Sequence, residues 1–298
     1  MRITGTFLDE ITHDIPSANW GPIEWAADFD AMQAIGIDTV ILIRAGYRDR
    51  MTFDSAALKA AQPMRPAYVD LVQLFLDQAK RCRMDFFFGI YDSGRYWHAG
   101  EPEKEIELNL RFTEEVAQRY VGHPAFAGWY MTHELNAYDE GAMLLYERLA
   151  RHLRGLKDVP LLMSPYVRGR KQFEDPVTPE EHETHWDRVF ERLGGIVDIV
   201  AFQDGQVEFA ELPTFMEINV RLARKHGLRP WSNVESFERG MPINFLPIDW
   251  RNLCYKIDVA AAADVEKLIT FEFSHFMSPN SIYPAAHTLY RRYREYIT

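Results

Sequence analysis

Three glutamates, Glu134, Glu235 and Glu272, each stand at or just past the end of a short apolar run. Carboxyl pairs presented in this way suit cleavage of a glycosidic bond, in which one acid protonates the leaving oxygen while the other attacks the anomeric carbon or activates water. Glu134 is flanked by His133 and Asn136 and preceded by Trp129 and Tyr130, whereas Glu235 follows Trp231 and Asn233. Aromatic faces stack on the C–H faces of sugar rings, and Tyr91, Trp97 and Tyr166 also fall in segments that follow apolar runs. Glu10, Arg44, Gln203, Asp204 and His275 occupy the same kind of position and complete the side chains expected to meet a substrate. Loop packing would account for any one of the rings. Their shared placement is what points to carbohydrate, and a salt bridge at the rim is the competing use of Glu134 or Glu235.

Bringing these side chains together requires a fold whose strands all end on one face. Apolar runs at 3–8, 39–43, 86–90, 126–131, 161–164, 197–202, 231–234 and 268–273 read as strands. Helical patterns lie between them, clearest at 24–35, 68–82, 105–120, 215–226 and 285–296. Alternation of this kind implies parallel pairing through right-handed crossovers. Eight units favour an α/β fold of the (β/α)8 TIM-barrel type over an open sheet, and the carboxyl ends of the strands in such a barrel share one cleft. An open doubly wound sheet would carry a Gly-rich turn after its first strand, and Leu8-Asp9-Glu10 is unlike one. With no Gly/Ser- or Pro-rich linker, residues 1–298 read as a single domain. The loop after the first strand adds His13 and Asp14 to Asp9 and Glu10. In Thr270-Phe271-Glu272-Phe273-Ser274 the period-two rule would turn both phenylalanines to the helices and Glu272 into the barrel, to react or to pair with Arg44 and orient other groups.

A chain of 298 residues that is 47% hydrophobic can form a large core without disulfides or metals. Its net charge of −11 disfavours a nucleic-acid partner, which calls for a basic footprint. Cys82 and Cys254 show no zinc or redox spacing and read as structural thiols. No run approaches the roughly 20 apolar residues that span a bilayer, and no secretory signal opens the chain, so the expected setting is the cytoplasm, away from membranes.

Here the chain resembles retaining (β/α)8 glycoside hydrolases, which carry an acid/base after strand four and a nucleophile after strand seven. More closely, Gly5-Thr6-Phe7, Gly36-Ile37-Asp38-Thr39-Val40-Ile41 and Gly128-Trp129-Tyr130 with Glu134 resemble a bacterial domain family of unknown function described as glycoside-hydrolase-like barrels. The resemblance covers most of the chain. It implies Glu134 as acid/base, with a raised pKa, Glu235 as nucleophile, and Arg44 as the arginine that steadies the nucleophile. Two features depart from the pattern: His133 rather than Asn precedes Glu134, and Glu272 stands where a stacking tryptophan is common. Glu272 therefore stays open as an alternative nucleophile.

A glycoside hydrolase of this kind implies a carbohydrate partner and no cofactor, with the oligomeric state not legible. A metal-dependent sugar isomerase, epimerase or lyase on the same barrel would draw ligands from Glu10, His13, Glu134, Asp204, Glu272 and His275, although no HxH or HExxH spacing marks such a site. A non-catalytic carbohydrate-binding barrel would keep the rings with its carboxyls too far apart to cooperate. Arg168, Arg170 and Lys171 could recognise an anionic sugar such as a uronate, or form a solvated turn.

Overall fold

Successive side chains of a strand face opposite ways, and in this chain both faces of most strands are apolar. The structure, a computed structural model, describes residues 1–13, 15–239 and 245–298, so Asp14 lies outside the described residues. Eight parallel strands close a barrel: β1 (Ile3–Leu8), β2 (Thr39–Leu42), β3 (Asp85–Gly89), β4 (Phe126–Met131), β5 (Leu161–Met163), β6 (Ile199–Gln203), β7 (Arg229–Asn233) and β8 (Lys267–Thr270). Each pairs with its neighbours in sequence, and β8 closes on β1 with Thr270 opposite Thr6. The fold is thus the expected α/β TIM barrel in a single domain.

Phe7, Ile41, Phe87, Tyr130, Leu162, Ala201, Trp231 and Ile269 fill the inside of the ring. Their outward neighbours, including Val40, Leu42, Phe86, Phe88, Trp129 and Met131, join a second core under the helices. Burial on both faces explains why the strands read as continuous apolar runs rather than as alternating ones. Gly128 is part of this packing: a Cβ there would lie 2.2 Å from the Phe87 ring, so only glycine lets that ring fill the barrel.

The longer helices are α1 (Pro22–Ala34), α2 (Leu71–Cys82), α3 (Pro102–Arg119), α4 (Glu140–Leu156), α5 (Pro179–Leu193), α6 (Leu212–Lys225), α7 (Trp250–Ala262) and α8 (Pro284–Ile297), beside the short helices Ala56–Ala61 and Phe273–Phe276. Asp70, Asp139, Thr178 and Asp249 accept bonds from amides of the first turns of α2, α4, α5 and α7, the usual device for starting a helix. The buried face of α3 carries Glu105 and Asn109 among Ile106, Phe112 and Val116, so this helix brings polar groups inward. No described helix is long and apolar enough to cross a membrane.

Most strands match their expected bounds to within two residues, but the eighth does not. It ends at Thr270, because the Phe271 amide leaves the ladder to bond Asn233 Oδ1 at 2.9 Å and Glu272 caps the short helix Phe273–Phe276. Alternation stops there. Phe271 lines the cleft, Phe273 joins the outer core, and Glu272 does not point into the barrel. A small sheet of Gly46–Tyr47, Arg50–Met51, Arg65–Pro66 and Tyr91–Asp92, which the sequence did not announce, is formed by the loops after β2 and β3.

Candidate active site

Beyond β7 the backbone of Glu235 is gripped twice. Its amide donates to Asp204 Oδ1 at 3.0 Å, and its carbonyl accepts from Lys256 Nζ at 3.0 Å. Lys256, on α7, also reaches Asp204 Oδ1 at 2.7 Å, and this ion pair is almost wholly buried, at 2% and 1% side-chain exposure. The Glu235 side chain is equally buried. Arg239 Nη2 lies 3.4 Å from Oε1, whereas Oε2 has no hydrogen-bond partner among the described residues. Burial pushes the Glu235 carboxyl above its ordinary pKa, against the pull of Arg239 and Lys256. Room for Oε2 comes from Gly205, where a Cβ would lie 1.6 Å from that oxygen.

Beyond β4, Thr132 Oγ1 donates to the carbonyls of Ile43 (3.1 Å) and Ile90 (3.2 Å), tying the ends of three strands together just before Glu134. Arg44 Nη2 donates to Glu134 Oε1 at 3.1 Å, and Arg44 Nε lies 3.7 Å from Asp92. Burial works against the charge of Arg44, but Glu134, Asp92 and Asp9 outweigh it, and its pKa is raised. The arginine expected beside Glu235 thus sits on Glu134.

Glu134 and Glu235 line one cavity of about 60 Å³ at the barrel mouth, with Arg44, Tyr130, Gln203 and Asn233 from the expected set. Gln203 Nε2 donates to the Ser164 carbonyl and Asn233 Nδ2 to Ser164 Oγ, so both amides are oriented by the end of β5. Ser164, Phe271, Gly205 and Lys256 belong to this site without having been picked out from sequence. Lys256 could not have been, since it arrives from a helix with no local motif.

Glu134 also lines a larger, more open cleft of about 610 Å³, together with Trp97, Asn136 and Tyr166. Asn136 Nδ2 donates to the Tyr166 hydroxyl at 2.5 Å, and Trp97 Nε1 donates to Asp92 Oδ1 at 3.1 Å.

The remaining expected residues lie elsewhere. Trp129 faces the helices, because Tyr130 takes the inward position, and its Nε1 donates to the Lys157 carbonyl. Trp231 points into the barrel but stacks near Phe87, Arg229 and Lys267, toward the amino ends of the strands. Tyr91 is buried in the small sheet and donates to the Arg48 carbonyl. His133 turns outward to Glu105 at 3.1 Å. Asp204 serves the backbone of Glu235, as described. Glu10 holds its own loop through Ser17 and the amides of Ala18 and Asn19. Glu272 and His275 bond each other, and Glu272 also accepts from the amides of Ser274 (2.8 Å) and His275 (2.7 Å). Burial disfavours the charged imidazole of His275, yet Glu272 prevails and pushes its pKa up to about 9.

Asp92, Glu105 and His133 are the group of three metal-capable side chains that meets within 4.8 Å among the described residues. None of the six ligands considered for a metal enzyme belongs to it. Its groups already have partners: Asp92 accepts from Gly94 N and Trp97 Nε1, and Glu105 from Ser93 N and His133 Nε2. Arg168, Arg170 and Lys171 also stay away from both cavities, engaged with Asp175, Glu211 and the Phe209 ring.

Residues 3–283 match the model of a domain family of unknown function, DUF4434. The chain belongs to this DUF4434 family. None of the curated proteins compared with it matches. A crystal structure from Bacteroides thetaiotaomicron VPI-5482, described as a "putative alpha-L-fucosidase", is 45% identical and superposes with a TM-score of 0.95, over 99% of this chain and 92% of that one. The DUF4434 barrel is also similar to an endo-1,4-beta-D-mannanase from Thermotoga petrophila RKU-1 (TM-score 0.63, 11% identity, 100% and 99% covered). A GH18 chitinase from Pseudoalteromonas aurantia is comparable (TM-score 0.58, 8% identity, 97% and 99% covered). At those identities the two enzymes establish the shared fold alone.

Proposed function

We propose that this protein hydrolyses glycosidic bonds, with Glu134 and Glu235 as the reacting pair. The observation that carries this reading is that the two carboxyls, delivered from nearly opposite strands, line one small cavity at the carboxyl ends of the barrel strands. The 45% identity to the structure described as an alpha-L-fucosidase supports it.

The surroundings divide the roles. A buried carboxyl with one unpartnered oxygen holds its proton more readily than a free one, so Glu235 is assigned as the acid that protonates the leaving oxygen. The Arg44 guanidinium favours the anion at Glu134, which attacks the anomeric carbon as the C–O bond breaks. Glu235, now a carboxylate, then takes a proton from the water that releases the sugar from Glu134, giving net retention. This order is the reverse of the one the superfamily resemblance implies.

Leaving-group dependence separates the two orders. With Glu235→Gln, aryl glycosides of poor leaving groups should lose about 10²–10⁴-fold in kcat/KM, while dinitrophenyl glycosides, whose first step needs no proton, keep most of their kcat/KM and lose kcat because release from Glu134 then lacks its base. Glu134→Gln should lose both. The opposite pattern would restore Glu134 as the acid, and full activity in both variants would remove the pair from the chemistry. Activity that survives a chelator favours this reading over a metal-dependent one.

A further inference from the structure

The outer cleft is about 610 Å³ against about 60 Å³ for the cavity that holds both glutamates, and Glu134 is common to them. A water needs roughly 10–15 Å³ of such space, so the inner cavity has room for one sugar ring at most and the outer cleft for several. The rings of the outer cleft are held in place. Trp97 is pinned through Nε1 to Asp92 and lies 3.9 Å from the His98 ring, and Tyr166 is pinned by Asn136 and stacked on Phe173 at 5.9 Å. Ordered aromatic faces beside a reacting bond are what a sugar chain binds with little loss of side-chain freedom.

The charge of the cleft limits which chain. Its walls present the carboxylates of Glu103, Glu134, Asp139 and Glu140 against Arg192, which is already bound to Glu140 at 3.1 Å and Glu147 at 2.7 Å. The basic side chains suited to a uronate, Arg168, Arg170 and Lys171, line neither cavity. Four carboxylates against one guanidinium leave the groove net negative, which disfavours an anionic polymer.

We propose that the outer cleft binds an uncharged oligosaccharide chain on one side of the bond to be cut, with Trp97 and Tyr166 as its stacking rings. The proposal rests on the hydrolase reading above and names its substrate class. Calorimetric titration of the full chain carrying Glu235→Gln tests it, with neutral hexasaccharides (gluco-, manno-, xylo- and N-acetylglucosamine series) and hexagalacturonate as probes. At least one neutral chain should saturate the protein and bind tenfold or more tighter than hexagalacturonate. Adding Trp97→Ala or Tyr166→Ala should weaken that binding about tenfold, whereas Tyr166→Phe, which keeps the ring, should retain it. Glu103→Lys with Glu140→Lys should narrow the gap to hexagalacturonate. Equal or better binding of the anionic chain, indifference to loss of both rings, or no binding of any neutral chain would overturn the groove. Aryl glycoside turnover by the unmodified protein, measured in parallel, reports on the hydrolase reading alone: turnover without chain binding removes the groove, and chain binding without turnover removes the hydrolase.

Discussion

Glu235 shows how much of a site can hang on what is absent from a neighbouring residue. Its Oε2 occupies the space that a Cβ on Gly205 would take. Gly205→Ala should therefore move the carboxyl rather than unfold the barrel, and displacement of about 1 Å at a reacting group costs on the order of 10²-fold in rate. Steady-state kinetics on an aryl glycoside, beside a thermal melt, checks this: a large fall in kcat with a melting temperature near the parent's is expected. Parental kcat would mean that the position of Glu235 does not matter to the chemistry. Arg44 carries the converse lesson. Its place after β2 was legible, but its partner was not, because the choice between Glu134 and Glu235 is made across the barrel mouth by side chains far apart in sequence.

At the scale of elements, the end of β8 is where sequence and structure part. Thr270-Phe271-Glu272-Phe273-Ser274 has the alternation of a strand, but the side chain of Glu272 caps the helix that follows and pairs with buried His275. Two phenylalanines and a glutamate satisfy either arrangement, and only tertiary contacts choose between them. The His275–Glu272 pair should stabilise this element. His275 has its pKa raised in the folded chain to about 9 from an ordinary 6.5, so its contribution is complete below about pH 6.5 and is lost as pH rises through 9. His275→Asn should lower unfolding free energy by about 3 kcal/mol at pH 6 and by less at pH 10, as read by denaturant titration at the two pH values. A penalty that does not depend on pH would show that the charge of His275 is not what holds the turn. Tyr91 and Trp129 mark two further limits. The small sheet that takes up Tyr91 depends on long loops returning to one another. Trp129, by contrast, could have been placed from Tyr130 alone, since adjacent residues of a strand cannot both face the cleft.

For the molecule as a whole, the ring of eight strands was legible because each strand is buried on both faces and stands out as an apolar run between helical patterns. The positions of Glu134 and Glu235 followed from the strand ends they succeed. Depth along the barrel axis was not legible: Trp231 faces inward as its position in β7 requires, yet it lies near the amino ends of the strands and lines neither cavity. Nor could the buried Lys256–Asp204 pair be foreseen, since it joins α7 to the loop after β6.

The claim that depends on the whole assembly is that Glu134 and Glu235 act on one bond. Groups that serve the same reaction are strongly non-additive when removed. Rates of glycoside hydrolysis for Glu134→Gln, Glu235→Gln and the doubly substituted protein measure this directly. If the two carboxyls work together, the double variant is about as slow as the slower single one. Losses that multiply, with each single variant keeping its own share of the rate, would mean that the glutamates do not share a reaction.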